Sequence, residues 1–225
     1  MDTYGSKPIA ILGDGPCLSD ITDEDALCEN RFVVAVQGAS LKKKCHVAFM
    51  GDPYAIKYAM QFPDTQVIWA TTTFASFNPG FTDRKNVHVV PSHHHIHGDP
   101  LYVQTAEYSK PFSRQNVGTG ILACRHAFFH SNADSVELYG FDLCSDDPCC
   151  SKVHEEMIRY HMMESFGVEY EPAKQYVGQR EAMTELRDAM PGFFVNCSPS
   201  SRCDLFPREE RPWTSQLPSL ETAPV

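Results

Sequence analysis

Apolar residues in the first half of the chain fall into short unbroken runs separated by turn residues. Residues 8–13 (PIAILG), 32–37 (FVVAVQ), 46–50 (HVAFM), 66–70 (QVIWA) and 86–90 (NVHVV) are of this kind. Such runs, bounded by Gly, Pro and Asp, read as strands buried on both faces. Between the first two lies a helical stretch, residues 18–30, with Ser19 as N-cap and acids early. A second helix is expected over residues 54–61. Further on, Gly118-Thr119-Gly120 opens a helix with apolar positions at Ile121, Leu122, Ala123, Ala127 and Phe128. A strand at residues 135–140, helices at 153–166 and 179–190, and a strand at 193–196 complete the pattern. Strands alternating with helices predict an α/β fold, a mostly parallel sheet flanked by helices. Ligands of such folds bind beyond the carboxyl ends of the strands, so the turns after strands are where chemistry is expected.

Two segments break the rhythm. Residues 91–116 show no periodicity, and a loop of that length inside a compact domain is functional or disordered. From residue 207 the chain carries Pro207, Pro212, Pro218 and Pro224 with few apolar residues, which predicts a flexible tail over 207–225 behind a single domain at 1–206.

Composition narrows the function classes. The 225 residues carry 29 acidic against 19 basic side chains, a formal charge of −10, which argues against bulk nucleic-acid binding. No run approaches the ~20 apolar residues of a membrane span, and the opening MDTYGSKP lacks the features of a signal peptide, so a cytoplasmic protein without a membrane span is expected. The cysteines are odd in number, nine, and Cys17, Cys28, Cys124 and Cys197 lie in apolar runs, which suits buried or free thiols. Cys144, Cys149, Cys150 and His154 match no zinc spacing and are read as free groups. His126, His130 and His161 lie in expected helices, as core or surface residues. Lys42-Lys43-Lys44 reads as a solvated turn. Oligomeric state is not legible.

Candidate chemistry gathers at strand ends. The turns at Gly13-Asp14-Gly15-Pro16 and Asn116-Val117-Gly118-Thr119-Gly120 each lead from extended chain into a helix. Small residues there let backbone N–H groups approach a phosphate, although neither matches a dinucleotide or phosphate-loop signature. Asp14, Asp52 and Asp142 each follow a strand. Three carboxylates in one crevice would repel a phosphate unless a hard cation lay between them, which nominates Asp14, Asp52 and Asp142 as ligands of Mg²⁺; each is also an ordinary turn residue. In the long loop, His93, His95 and His97 share one face of an extended segment. They are candidates for a metal, a phosphate contact, a general base or a solvated loop.

Taken together, three segments resemble a known superfamily. Residues 9–18 (IAILGDGPCL) are similar to the G-[ND]-G-P-S-L turn of the small bacterial CMP-sialic-acid-dependent sialyltransferases. That superfamily also holds 6-hydroxymethylpterin pyrophosphokinase-like proteins and flagellar motility accessory factor-like glycosyltransferases. Gly118-Thr119-Gly120 with residues 136–143 (VELYGFDL) resembles its second block, and residues 194–199 (FVNCSP) its closing strand and turn. The resemblance implies a Rossmann-like domain with Asp14, Gly15, Gln37, Asp52, Thr119 and Gly140 around a nucleotide and Tyr176 near its phosphate. It also implies differences. The sialyltransferase residues matching Asp14 and Asp52 are asparagines that donate to a phosphate, which an ionised carboxylate cannot do. Gln179 falls where a histidine general base is expected, and glutamine takes no proton at neutral pH.

The expected function is a nucleotide-dependent transferase, foremost a glycosyltransferase using a nucleotide-activated sugar and an acceptor. Gly15 and the Gly118 to Gly120 turn would hold the phosphates, and a loop histidine would serve as base. One alternative is a Mg²⁺-dependent pyrophosphokinase that uses ATP and acts on a small heterocyclic alcohol. The other is a catalytically silent nucleotide-binding module.

Overall fold

The computed structural model describes residues 4–91, 118–143, 163 and 172–215. Seven strands form one sheet: β1 (Ile9–Leu12), β2 (Phe32–Val36), β3 (Val47–Met50), β4 (Val67–Thr71), β5 (Val87–Val90), β6 (Val136–Tyr139) and β7 (Phe194–Asn196). Their order is β5-β4-β3-β2-β1-β6-β7, and every neighbouring pair is parallel. The α/β architecture with a parallel sheet is thus the one expected. The chain leaves β1 toward β2 on one side and reaches β6 on the other, so the β1/β6 boundary is the topological switch point where doubly wound sheets hold ligands.

The continuous apolar runs are explained by burial on both faces. Ile9 and Ile11 of β1 and Val47 and Phe49 of β3 face one core layer, shared with Ile121, Leu122 and Leu186. Ala10 and Leu12 face a second layer with Leu18, Leu27 and Trp213, while Ala48 and Met50 face a third with Phe74 and Tyr58. The first layer is covered by α5 (Thr119–His130) and α6 (Pro172–Ala189), which are preceded by four short helices, α1 (Glu24–Asn30), α2 (Ala39–Lys42), α3 (Ile56–Ala59) and α4 (Thr72–Phe77). No described helix is long and apolar enough to cross a membrane.

Two local expectations need correction. The helix expected over 18–30 is two pieces, a 3-10 turn at Pro16–Asp20 and then α1, whose cap is Asp23 accepting from Ala26 N at 2.9 Å. The break exists because residues 21–23 pair elsewhere: Ile21 bridges Thr214, and Thr22 N donates to Trp213 O at 3.0 Å. The helices α2 and α4 arise in stretches where the apolar pattern marks none, since one turn of helix is too short to show a period; α4 is fixed by Thr71 Oγ1 accepting from Phe74 N at 3.1 Å. The expected helix at 153–166 lies outside the described residues.

The proline-containing C-terminal segment is not a free tail over residues 207–215. Asn196 N donates to Pro207 O at 2.9 Å and Glu209 N to Asn196 O at 3.1 Å, covering the edge of β7, which would otherwise present unpaired backbone groups. Beyond it, Trp213 is buried, and its indole N–H donates to Tyr139 Oη at 2.7 Å. Arg211 and Arg31 both reach Glu137 on β6, and the Arg31 guanidinium lies 4.8 Å over the Trp213 ring. Residues 216–225 lie outside the described set.

Candidate functional site

The carboxyl ends of β1, β2, β3 and β6 bring most of the nominated residues together. At the switch point the β1 and β6 turns are zipped by their backbones: Gly13 N donates to Tyr139 O at 2.7 Å and Gly15 N to Gly140 O at 2.9 Å. Gly140 has φ +70°, and a Cβ there would run into the Gly13 carbonyl, so glycine is required on both counts. Its N–H donates to Ser198 Oγ at 3.1 Å. Gly15 leads only into the 3-10 turn, so it offers less of a helix dipole than the sequence suggests.

One strand over, Gln37 ends β2 in the left-handed region at φ +45°, an uncommon conformation for a residue with a side chain. Its backbone is held there by its own N–H donating to Phe49 O at 3.0 Å and by Ser40 N donating to its carbonyl at 3.1 Å. The result aims its amide across the rim. Gln37 Nε2 donates to Asp52 Oδ2 and to Thr119 Oγ1, both at 2.6 Å, and Thr119 Oγ1 donates to Asp52 Oδ2 at 2.5 Å. Tyr54 Oη donates a third bond to Asp52 at 3.2 Å. Thus the ends of β2, β3 and the first residue of α5 meet in one hydrogen-bonded cluster. The fit is close: a Cβ on Gly51 would lie 2.5 Å from Thr119 Oγ1.

Gly118 is the N-cap of α5, with no side-chain cap on the helix start, and Gly120 packs against Phe141, whose ring lies 3.0 Å from where a Cβ would be. Gln179 of α6 comes against Gly118, its Nε2 2.8 Å from the position of a Cβ there. The residue standing in place of an expected histidine therefore does reach the same edge.

Asp14 ends β1 and forms an ion pair with Lys42 of α2. A side chain on Gly38 would strike the Asp14 carboxylate, so this glycine is a matter of close approach rather than backbone conformation. Beside this pair is a cavity of about 380 Å³ lined by Asp14, Gly15, Pro16, Leu18, Ser19, Lys42 and Lys43.

Asp142 is buried and accepts from Cys17 N at 3.1 Å, against Gly15. The three aspartates therefore serve three different partners: Lys42, the Gln37–Thr119–Tyr54 group and the Cys17 amide. Among the described residues no three His, Cys, Asp or Glu side chains gather to hold a metal. This arrangement does not fit one divalent ion shared by Asp14, Asp52 and Asp142.

Other expectations divide by region. Cys17, Cys28, Cys124 and Cys197 are buried and form no disulfide, as the apolar runs suggest, and Cys203 is buried as well. Burial and then the neighbouring Asp142 push the Cys17 thiol well up, so it is not an activated nucleophile. His126 is a core residue bonded to Tyr4 Oη at 2.6 Å. The histidines His93, His95 and His97 lie outside the described residues, as does the side chain of Tyr176, whose backbone belongs to α6. Lys42, placed by composition on a solvated turn, belongs to the rim. Tyr54 gives no sequence signal beyond following Asp52 by two residues.

No protein-family model matches the chain, and no curated protein matches it. Solved structures do. A variant of the sialyltransferase CST-II in complex with CMP has 16% identity and a TM-score of 0.55, over 94% of this chain and 89% of that one. The sialyltransferase CstII from Campylobacter jejuni in complex with the substrate analogue CMP-3FNeuAc gives 17% and 0.53, over the same shares. Monofunctional alpha-2,3-sialyltransferase Cst-I from Campylobacter jejuni gives 15% and 0.53, over 87% of this chain and 77% of that one. At such identities the likeness is one of fold. This chain is a single α/β domain with the Rossmann-like architecture of these sialyltransferases.

Proposed function

We propose that the chain is a nucleotide-dependent transferase of the glycosyltransferase kind, binding a nucleotide-activated sugar along the carboxyl edge of β1, β2, β3 and β6. The observation that carries this reading is the Gln37–Asp52–Thr119 cluster, which locks three elements together beside the β1/β6 switch point. A glutamine in the left-handed region is conformationally costly, and such residues cluster at ligand sites. Structures of the same fold are described in complex with CMP, with CMP-3FNeuAc and with a trisaccharide acceptor, which supports a cytidine nucleotide as the first ligand to try.

The site chemistry follows from what each group can do. An ionised carboxylate only accepts hydrogen bonds, so Asp52 suits a hydroxyl of ribose or sugar rather than a phosphate oxygen. Gly15, Gly118, Gly120 and Gly140 let Asp142, Gln179, Phe141 and the Gly13 carbonyl pack close against their backbones and so shape this edge, and the start of α5 favours negative charge. Tyr176 is proposed beside the phosphate. In the transfer step the acceptor oxygen bonds to the anomeric carbon while the bond from that carbon to the phosphate oxygen breaks. The nucleotide leaves with the electron pair, and the acceptor proton passes to a base. Gln179 cannot take it; one of His93, His95 and His97 is proposed instead. The pyrophosphokinase reading draws no support from the structures above.

Gln179 against Gly118 favours a second reading, a module that binds the nucleotide without turnover. Thermal-shift measurements against CMP, UDP-sugars, GDP-sugars and ATP, followed by chromatography of a bound CMP-sugar, separate the two. Stabilisation by a cytidine nucleotide with release of CMP is expected; stabilisation without release supports the silent module, and no stabilisation by any nucleotide refutes both.

A further inference from the structure

The rim poses an electrostatic problem. Asp14 stands at the end of β1, next to the glycine turn offered to the phosphate, with its side chain only 9% exposed. A phosphate entering beside it meets a like charge in a setting less screened than water. Among the described residues the three aspartates do not gather into one cluster that could hold a divalent ion against this repulsion. The side chain paired with Asp14 can relieve it. Lys42 comes from the end of α2, and 44% of its side chain remains exposed, so its ammonium has open faces toward solvent while one proton is given to Asp14. Both residues line the 380 Å³ cavity, within the ~300 to 1,000 Å³ usual for small-ligand sites.

Resting on the nucleotide reading above, we infer that Lys42 is the specificity-determining residue for the ligand's phosphate: its ammonium, seated on Asp14 at the wall of this cavity, supplies the countercharge for a nucleoside phosphate.

The surroundings hold this arrangement in place. The Asp14 carboxylate packs directly against Gly38, where a side chain would collide with it. Lys43 lines the same cavity but is committed elsewhere, donating to Ile21 O at 2.9 Å and pairing with Glu24 at 3.1 Å. That leaves Lys42 as the more adaptable of the two cations. Pro16 and Leu18 add an apolar wall, and Ser19 Oγ donates to Pro16 O at 2.9 Å, which fixes the turn that carries them. An ammonium is a compact point charge with three donors, able to bond Asp14 and a phosphate oxygen at once.

The test is calorimetric titration of the full chain with CMP and with cytidine, which lacks the phosphate, on wild type, Lys42→Ala and Lys42→Arg, with and without EDTA. The expected result for Lys42→Ala is CMP binding weakened about tenfold or more, as for loss of a hydrogen bond to a charged group, while cytidine changes less than about threefold. Lys42→Arg retains most of the CMP affinity, and EDTA leaves wild-type binding unchanged. Equal losses for CMP and cytidine, no loss in Lys42→Ala, or wild-type CMP binding abolished by EDTA would each overturn the assignment while leaving the nucleotide reading intact. Failure of wild type to bind either ligand would overturn both.

Discussion

Replacing Glu137 by Gln tests how the C-terminal segment is held to the sheet. Glu137 lies on β6 with its side chain 5% exposed and accepts from Arg31 Nε and Nη2 at 3.0 and 2.9 Å, Arg211 Nε at 2.6 Å and Tyr139 Oη at 2.8 Å. The Glu137→Gln amide keeps the shape but removes the charge and turns half of the head group into a donor facing other donors. Breaking a fully buried ion pair costs about 3 to 5 kcal/mol. The arginine side chains are 18% and 21% exposed, so water offsets part of that loss, and about 2 to 4 kcal/mol is expected at pH 7. For a chain of this size that is roughly 5 to 15 °C in Tm. Burial works against the carboxylate charge, but the bonds from Arg31, Arg211 and Tyr139 outweigh it and hold the carboxyl below its usual range. The sign follows from a lowered folded pKa: the stabilisation is present above the unfolded value of ~4.3 and fades as pH falls through the folded one. Urea unfolding of wild type and Glu137→Gln at neutral pH and near pH 3 reads both effects. A difference under about 1 kcal/mol at neutral pH, or one that stays constant into acid, would refute the assignment of Glu137 as the charged hub.

Three further outcomes are expected. Trp213→Phe keeps an aromatic ring, though a smaller one, and loses the indole N–H to Tyr139, costing about 1 to 3 kcal/mol, and limited proteolysis should then cut within residues 207–215 faster than in wild type. Gly51→Ala forces a methyl group into Thr119; overpacking of about 1 to 3 kcal/mol should appear in urea unfolding, together with nucleotide affinity reduced even at temperatures where the variant is fully folded. Among His93→Gln, His95→Gln and His97→Gln, one variant should lose about 10²- to 10⁴-fold in the rate of sugar transfer with nucleotide binding unchanged, measured by product release and by titration.

The strands were legible because a parallel sheet buries both faces, so PIAILG, FVVAVQ and HVAFM stand out as short unbroken apolar runs bounded by turn residues. Asp14 and Asp52 could be nominated because each follows a strand, and Thr119 because it sits in the glycine turn that opens a helix, whereas Gln37 came only with the resemblance to the sialyltransferases; the fold then joins Gln37, Asp52 and Thr119. What escaped depends on contacts distant in sequence. The break at residues 21–23 and the burial of Trp213 arise from pairing across nearly the whole chain, which no local pattern encodes. A segment holding several prolines and charges looks solvated, yet Arg211 and Trp213 find partners in Glu137 and Tyr139. The nomination of three aspartates for one cation rested on position along strands alone; side-chain partners, which separate Lys42, Gln37 and the Cys17 amide among them, are set by packing.

A crystal structure determined with saturating CMP bears most directly on the proposed function. The nucleotide should lie along the ends of β1, β2 and β3, with a hydroxyl at Asp52 and its phosphate near Lys42. CMP bound on another face, with the Gln37–Asp52–Thr119 edge untouched, would contradict it.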